Sequence, residues 1–284
     1  MSKKPRNYEL TEEKEERLRN IARELRIDIL RMTHAARSGH PGGSLSAIDW
    51  MTVIFFDVMR HHPDKPDWRE RDRFVLSKGH ASPALYSCMA GTGYFNKLEL
   101  MSLRKLCSRL QGHPERKYIK GIEISTGSLG QGLAASNGMA LASRLDRLDN
   151  RIFAVLGDGE LQEGMVWEAA MSAAHYKIDN LCAFVDNNGQ QIDGNVSEVM
   201  GIYPIAEKWK SFGWNTLEIN GHDMKQMYNA LNNFENTAGR PTVVIGETVK
   251  GKGVSFMENN LRFHGNAPND EELAQALEEL GAVS

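Results

Sequence analysis

The sequence predicts an α/β chain: a doubly wound, mainly parallel sheet with helices on both faces. Five short apolar runs alternate with stretches of helical length, the pattern of strands joined by crossover helices. Two of those runs end in acidic, glycine-rich turns one crossover apart. Ile152–Leu156 (IFAVL) leads into Gly157-Asp158-Gly159, and Leu181–Val185 (LCAFV) leads into Asp186-Asn187-Asn188-Gly189. Such continuous apolar runs read as strands of a parallel sheet buried on both faces. Between them, Glu163 to Tyr176 (EGMVWEAAMSAAHY) has helical length and almost no polar face. The 27 residues from Glu160 to Asp186 hold one helix and its loops, so both turns fall at carboxyl ends of parallel strands. Ligands of open α/β sheets bind there.

The elements before this unit follow in order. Thr11 can cap a long charged helix with Glu12 and Glu13 in its first turn. Leu18, Ile21, Leu25, Ile29 and Met32 give that helix an apolar stripe. It ends near Ser38-Gly39-His40-Pro41-Gly42-Gly43, and Ser44 can cap the next helix, apolar from Ile48 to Val58. After a polar stretch (Asp64 to Asp72), Arg73–Ser77 reads as a short strand ending at Lys78-Gly79-His80, with a helix from about Ser82. Gln111-Gly112-His113-Pro114-Glu115 is a third glycine-histidine turn. A histidine in one such turn is ordinarily a polar loop residue; three in succession suggest a shared task. Ser125 to Gly132 (STGSLGQG) opens a small-residue helix. Gly130 and Gly132 fit close helix packing, whereas Gly127 to Leu129 could approach a flat ligand.

Beyond the βαβ unit, Gln191-Ile192-Asp193-Gly194 continues the second acidic turn, with Ile192 placed to touch a heterocycle. Trp214–Ile219 reads as a strand, Met224–Phe234 as a helix and Pro241–Val249 as a strand ending at Lys250-Gly251-Lys252-Gly253. Those lysines could bind an anion or simply be solvated. A polar loop reaches Phe263-His264-Gly265, and Asn269 to Glu272 reads as the capping box of a last helix ending at Gly281. The whole forms one unit over 1–284, with an N-terminal helical extension at about 8–36 and a C-terminal helix at about 270–281.

Composition narrows the function classes. Net charge is −3, and the basic residues are scattered, which gives no case for nucleic acid or a membrane surface. No apolar run approaches the roughly 18 residues of a membrane span, and MSKKPRNYEL lacks the apolar core of a signal peptide. Cys88, Cys107 and Cys182 lie far apart with no CxxC, so free thiols in a reducing cytoplasm are expected.

The acidic turns carry a specific chemistry. Glycines and a helix N-terminus invite a phosphate, yet Asp158 would repel one. A divalent cation resolves the conflict, because Mg²⁺ takes oxygen ligands and shares them with substrate phosphates. The Asp158 carboxylate, the Asn188 amide oxygen and a loop carbonyl would leave room for two phosphate oxygens and a water. GDG followed by NN at this spacing resembles the thiamin diphosphate-binding motif.

The full set SGHPGG, LSKGHASPALY, QGHPE, STGSLGQG, GDGELQEG and DNNGQQIDG, in that order, resembles the diphosphate-binding domain of transketolase from about Glu12 to Pro268. The resemblance implies thiamin diphosphate with Mg²⁺ (Ca²⁺ or Mn²⁺ also possible), held through Asp158, Asn188 and the Gln190 carbonyl. Gly157 and Gly159 would lie by the diphosphate, with His80 and His264 near it and the reacting centre. His40 and His113 would contact substrate hydroxyls and assist proton transfers; Leu129 and Ile192 would meet the cofactor rings and Gly127 the aminopyrimidine. Glu163 would join a carboxylate network across a subunit interface. The implied activity is transfer of a two-carbon ketol unit between sugar phosphates of the pentose phosphate type. No pyrimidine-binding domain is recognisable, and Glu163 and Glu168 belong to the wrong helix to replace its glutamate. The expectation is therefore the N-terminal half of a split enzyme, α2β2 with a separate C-terminal subunit. The alternatives are a 1-deoxyxylulose-5-phosphate synthase-like chain, a 2-oxoacid dehydrogenase α subunit or a non-catalytic binding subunit.

Overall fold

Parallel pairing of five strands organises the chain, and a computed structural model describes residues 3–282 of it. In chain order the elements are α1 (Glu12–Ala36), α2 (Pro41–Val53, continued by a π turn over Ile54–Val58), β1 (Arg73–Leu76), α3 (Ser82–Gly91), α4 (Gln131–Leu145), β2 (Ile152–Gly157) and α5 (Gly164–His175). Then come β3 (Leu181–Asn187), a two-residue ribbon of β4 (Gln190–Gln191) and β5 (Gly194–Asn195), α6 (Val196–Val199), α7 (Ile205–Ser211), β6 (Asn215–Asn220), α8 (Met224–Asn236), β7 (Thr242–Glu247) and α9 (Asp270–Glu279). The main sheet runs β1-β2-β3-β7-β6, every pair parallel. The doubly wound expectation holds. Among the described residues no helix is long and apolar enough to cross a membrane.

Strand alternation divides the core between the faces. Phe153, Val155, Cys182, Phe184 and Val244 pack with residues of α1, α2, α3 and α8. Ile152, Ala154, Leu156, Leu181, Ala183, Val185 and Val243 pack with residues of α4, α5 and α7. Both faces of β2, β3 and β7 are covered, so those strands carry no polar alternation, whereas the edge strand β6 (NTLEIN) is only half-buried and alternates. Within the first layer the Trp50 ring stacks on Phe184 at 4.5 Å between centroids. Gly246 of β7 makes that stack possible, because a Cβ there would lie 2.3 Å from Phe184 Cζ. Gly246→Ala should therefore cost about 1–3 kcal/mol by overpacking. Urea unfolding with an unchanged slope and a lower midpoint would show it; an unchanged midpoint would count against this packing account.

The caps follow the sequence with one correction. Thr11 accepts from Lys14 N–H, and Asn269 and Glu272 form the full capping box. Ser44 is not a cap: α2 begins at Pro41, with His40 in the capping position and Ser44 Oγ donating to His40 C=O at 2.7 Å. Proline pre-sets φ for the first helical position, and Gly42 is needed because a Cβ there would lie 2.8 Å from Phe263 C=O. STGSLGQG likewise enters its helix only at Gln131; Gly130 sits just outside in the left-handed region. Gly132 bears out close helix packing, since its Cβ would fall 2.4 Å from Ser77 Oγ. Cys88 and Cys182 are buried free thiols, while Cys107 is exposed.

In register, Gly157 of β2 lies opposite Asp186 of β3, and Asp186 opposite Gly246 of β7. Lys78, Asp158, Asn188 and Lys250 thus follow neighbouring strands at one carboxyl edge.

Candidate active site

At that edge lies a cleft of about 330 Å³. The residues that the resemblance assigns to the site all line it: His40, His80, His113, His264, Gly127, Leu129, Gly157, Asp158, Gly159, Glu163, Asn188, Gln190 and Ile192. The four histidines arrive from four separate segments and converge. The His40 ring centroid is 5.3 Å from His80, 5.6 Å from His264 and 6.4 Å from His113, and His80 lies 5.4 Å from His264. Gly127, with φ of 148°, supports His113; a Cβ there would stand 3.1 Å from the His113 ring.

Burial and neighbouring cations keep these imidazoles neutral. Burial, then the Arg104 charge, lowers His40 to about 4. Burial, then Lys250, lowers His264 to about 3. His80 is pushed well below the ordinary histidine value by burial and Lys78, and His113 is lowered by burial and Arg104. Neutral imidazole both donates and accepts, which suits hydroxyl-rich ligands.

Below the histidines lie the acidic turns. Asp158 Oδ1 accepts from Gly159 N–H at 2.8 Å and Oδ2 from Gly189 N–H at 2.6 Å. Burial first, and the nearby Asp186 charge second, raise its carboxyl to about 6. Asn188 Nδ2 donates to Asp186 at 3.2 Å, while its Oδ1 accepts from Gln190 N–H at 3.1 Å. The Gln190 carbonyl accepts from Lys250 Nζ at 3.0 Å. Among the described residues no cluster of three or more His, Cys, Asp or Glu could hold a metal. The alternative donor set, one carboxylate, one amide oxygen and one carbonyl, is hard oxygen chemistry. A buried carboxylate held above its ordinary pKa has unmet need of a cation, so these residues fit Mg²⁺ bound jointly with phosphate oxygens.

Three charged residues of the cleft escaped the sequence reading or stayed open in it. Lys78 is 1 % exposed; its ammonium pairs with the wholly buried Asp186 and donates to Gly43 C=O at 3.1 Å. Ser46 and Thr248 hydroxyls also donate to Asp186, so this acid is a structural anchor. Glu160 accepts from Gly130 N–H at 2.9 Å, from Gly157 N–H at 3.1 Å and from Ser77 Oγ. One buried carboxylate thereby ties the ends of β1 and β2 to the turn before α4. Lys250 and Lys252 divide between the two readings open for them. Lys250 is 1 % exposed and reaches His264 Nδ1 at 2.8 Å, whereas Lys252 pairs with Glu258 away from the cleft. The usable signal was position: Lys78 and Lys250 each follow an apolar strand at the edge that carries the acids.

Exposed apolar side chains lie at the cleft and on the helix that follows its first acidic turn. Ile192 is 70 % exposed, and α5 presents Met165 and Met171 at 41 % and 52 %. Glu163 and Glu168 are exposed beside them.

The family described as "Transketolase, thiamine diphosphate binding domain" matches residues 14–283. The chain is 40 % identical over 252 residues to a subunit of the apulose-4-phosphate transketolase of Phocaeicola vulgatus, covering 89 % of each. It is 42 % identical over 242 residues to the "6-deoxy-6-sulfo-D-fructose transketolase subunit SqwG" of Clostridium sp., covering 85 % of this chain and 88 % of that one. The crystal structure of Campylobacter jejuni transketolase superposes with a TM-score of 0.89 at 35 % identity over 93 % of this chain, which spans 43 % of that longer enzyme. With strand-end acids, converging histidines and nearly its whole length matched, the chain belongs to the transketolase family and carries that family's thiamin diphosphate-binding domain.

Proposed function

We propose that this chain, a single unit over 1–284, is the diphosphate-binding half of a split transketolase. It moves a two-carbon ketol unit from a ketose phosphate to an aldose phosphate once a separate subunit supplies the pyrimidine-binding domain. The observation that carries this is the convergence of four neutral histidines over a carboxylate–amide–carbonyl oxygen set in one cleft. The two relatives matched over almost their whole length are both named as subunits, which supports the split form.

Asp158, Asn188 and the Gln190 carbonyl would hold Mg²⁺, with Ca²⁺ or Mn²⁺ as substitutes. His80, His264 and Lys250, with the Gly157–Gly159 backbone, would hold the diphosphate; Gly127, Leu129 and Ile192 would hold the rings. Thiamin diphosphate, when bound, supplies the electron sink for the carbanion that ketol transfer requires. The chain's own work is then to bind, to orient and to manage protons. His40 and His113, at the mouth beside exposed Arg104, face the side from which a sugar would enter and can bind its hydroxyls. Their lowered pKa values keep the rings uncharged at neutral pH, so each can offer an N–H to a sugar oxygen, and the His113 lone pair needs no prior loss of a proton.

The exposed side chains of Ile192, Met165, Met171 and Glu163 are the surface that the second subunit would cover, in an α2β2 assembly in the cytoplasm. The named relatives act on apulose 4-phosphate and 6-deoxy-6-sulfo-D-fructose. The donor here is therefore a ketose bearing a terminal phosphate or sulfonate, with pentose phosphates the first to try. The test is ketol transfer by the chain with and without its partner, offering xylulose 5-phosphate and a sulfonated ketose side by side.

A further inference from the structure

Arg104 is left over from that account. It lies in the irregular stretch between α3 and α4, at a left-handed φ of 57°, uncommon for a residue with a side chain. Its N–H donates to Leu110 C=O at 2.9 Å, which holds the turn. The guanidinium lies on Gly112, where a Cβ would stand 2.8 Å from Cζ. From there Nη1 donates to Ser38 Oγ at 3.0 Å, and Nη2 lies 3.4 Å from His40 Nδ1. Two turns, Ser38-Gly39-His40 and Gln111-Gly112-His113, are thus bridged by one side chain.

We infer that Arg104 is a positioning residue that fixes His40 as its Nε2–H tautomer, making His40 a hydrogen-bond donor to a substrate oxygen and not a base. Guanidinium has only donors, so the nitrogen facing it must offer a lone pair, and in neutral imidazole the other nitrogen then carries the hydrogen. With Nδ1 engaged and Nε2 protonated, His40 has no free lone pair with which to take a proton. Giving up its only N–H proton would leave an imidazolate, which is inaccessible near neutral pH. His40 therefore polarises an oxygen without exchanging a proton, and the proton transfers of the cleft fall to its other histidines. The groups facing His40 agree: Arg104, Lys78 and Lys250 are cationic, and His80, His113 and His264 are neutral. None is an acid that would favour imidazolium. The substrate role rests on the transketolase reading; the tautomer does not.

The test is long-range ¹⁵N–¹H correlation on the cofactor-free chain, with the His40 signals assigned by His40→Gln. Wild type should show a protonated Nε2 and a bare Nδ1. Arg104→Gln offers either a donor or an acceptor, so both tautomers should appear and the His40 pKa should rise. Gly112→Ala keeps the charge but displaces the guanidinium, and should mix the tautomers without Arg104 being touched. It also serves if Arg104→Gln does not fold. In the assembled enzyme kcat/KM of Arg104→Gln should fall about twofold to tenfold, in proportion to the competent tautomer lost. A wild-type His40 carrying Nδ1–H would overturn the assignment, as would Arg104→Gln and Gly112→Ala variants that both keep the pure Nε2–H form. A wild-type assembly without ketol transfer but with the Nε2–H tautomer intact would sink the transketolase reading and uphold the Arg104 assignment.

Discussion

Asp158→Ala should remove metal-dependent binding of thiamin diphosphate, and ketol transfer with it. Asp158 is the one carboxylate in the oxygen set, and its neighbour Asp186 is already taken by Lys78. Without Asp158 the proposed metal site would keep only neutral oxygens for a cation expected to hold phosphate oxygens as well. Affinity for the Mg²⁺–cofactor pair should fall by at least about 100-fold, since even residues that only orient a metal ligand cost about 10- to 100-fold. Alanine also strips the acceptor from Gly159 and Gly189 N–H, about 1–3 kcal/mol if those groups stay dry. Asp158→Asn separates the two effects: it keeps an acceptor, so it should unfold nearer to wild type while binding the metal as poorly. Calorimetric titration with Mg²⁺ and thiamin diphosphate reads this, and an unchanged affinity in both variants would count against the site.

The same carboxyl sets a pH dependence. Its folded pKa of about 6 lies above the ordinary 3.8, so the folded chain holds an extra proton between those values. The contribution of Asp158 to the stability of the cofactor-free chain therefore declines as pH rises from about 4 to about 6, while His40 and His264, held below the ordinary histidine value, contribute in the opposite direction. Metal needs the deprotonated form, so the thermal shift given by Mg²⁺ with cofactor should shrink as pH falls below about 6.

Lys78→Met should be the most destabilising single change in the cleft. Against the cost of full burial, the Lys78 charge holds Asp186 below the usual carboxylate range. Removing the lysine strands that charge under hydroxyl and amide donors alone, a loss of about 3–5 kcal/mol for a buried pair broken on one side. The melting temperature should drop by on the order of 10 °C. Without Lys78 the Asp186 pKa rises, so the deficit should narrow as pH is lowered and Asp186 takes up a proton. Adding Asp186→Asn should restore part of the loss at neutral pH. A melting temperature within a degree or two of wild type would show that the pair does not hold the turns together.

Legibility in the sequence followed local physics. Strands β2 and β3 could be read because parallel strands buried on both faces need unbroken apolar runs, and their acidic turns because a glycine turn ends each run. The helix starts at Thr11 and Asn269 could be read because capping is a contact within one turn. Lys78 and Glu160 were passed over because a charged letter ordinarily means a solvated side chain. What buries Lys78 is Asp186, 108 residues away in sequence, and what buries Glu160 is the Gly157 N–H of its own turn together with Gly130 and Ser77 from two other segments. Arg104 was invisible for a different reason. It lies in a stretch without period, and its placement depends on a left-handed backbone and on the bare face of Gly112. The histidines were found as separate turns; that they form one cluster is a property of the sheet edge.

The central claim is that this chain is catalytically incomplete until a second subunit joins it. Ketol transfer from xylulose 5-phosphate to ribose 5-phosphate, with thiamin diphosphate and Mg²⁺, tests it most directly. The purified chain is assayed alone and mixed with the chain encoded beside it, with a sulfonated ketose as the parallel donor. The account predicts no turnover by either chain alone and turnover by the mixture with at least one donor. Full ketol transfer by this chain alone would contradict it, and so would a mixture that forms a complex and binds the cofactor yet turns over neither donor.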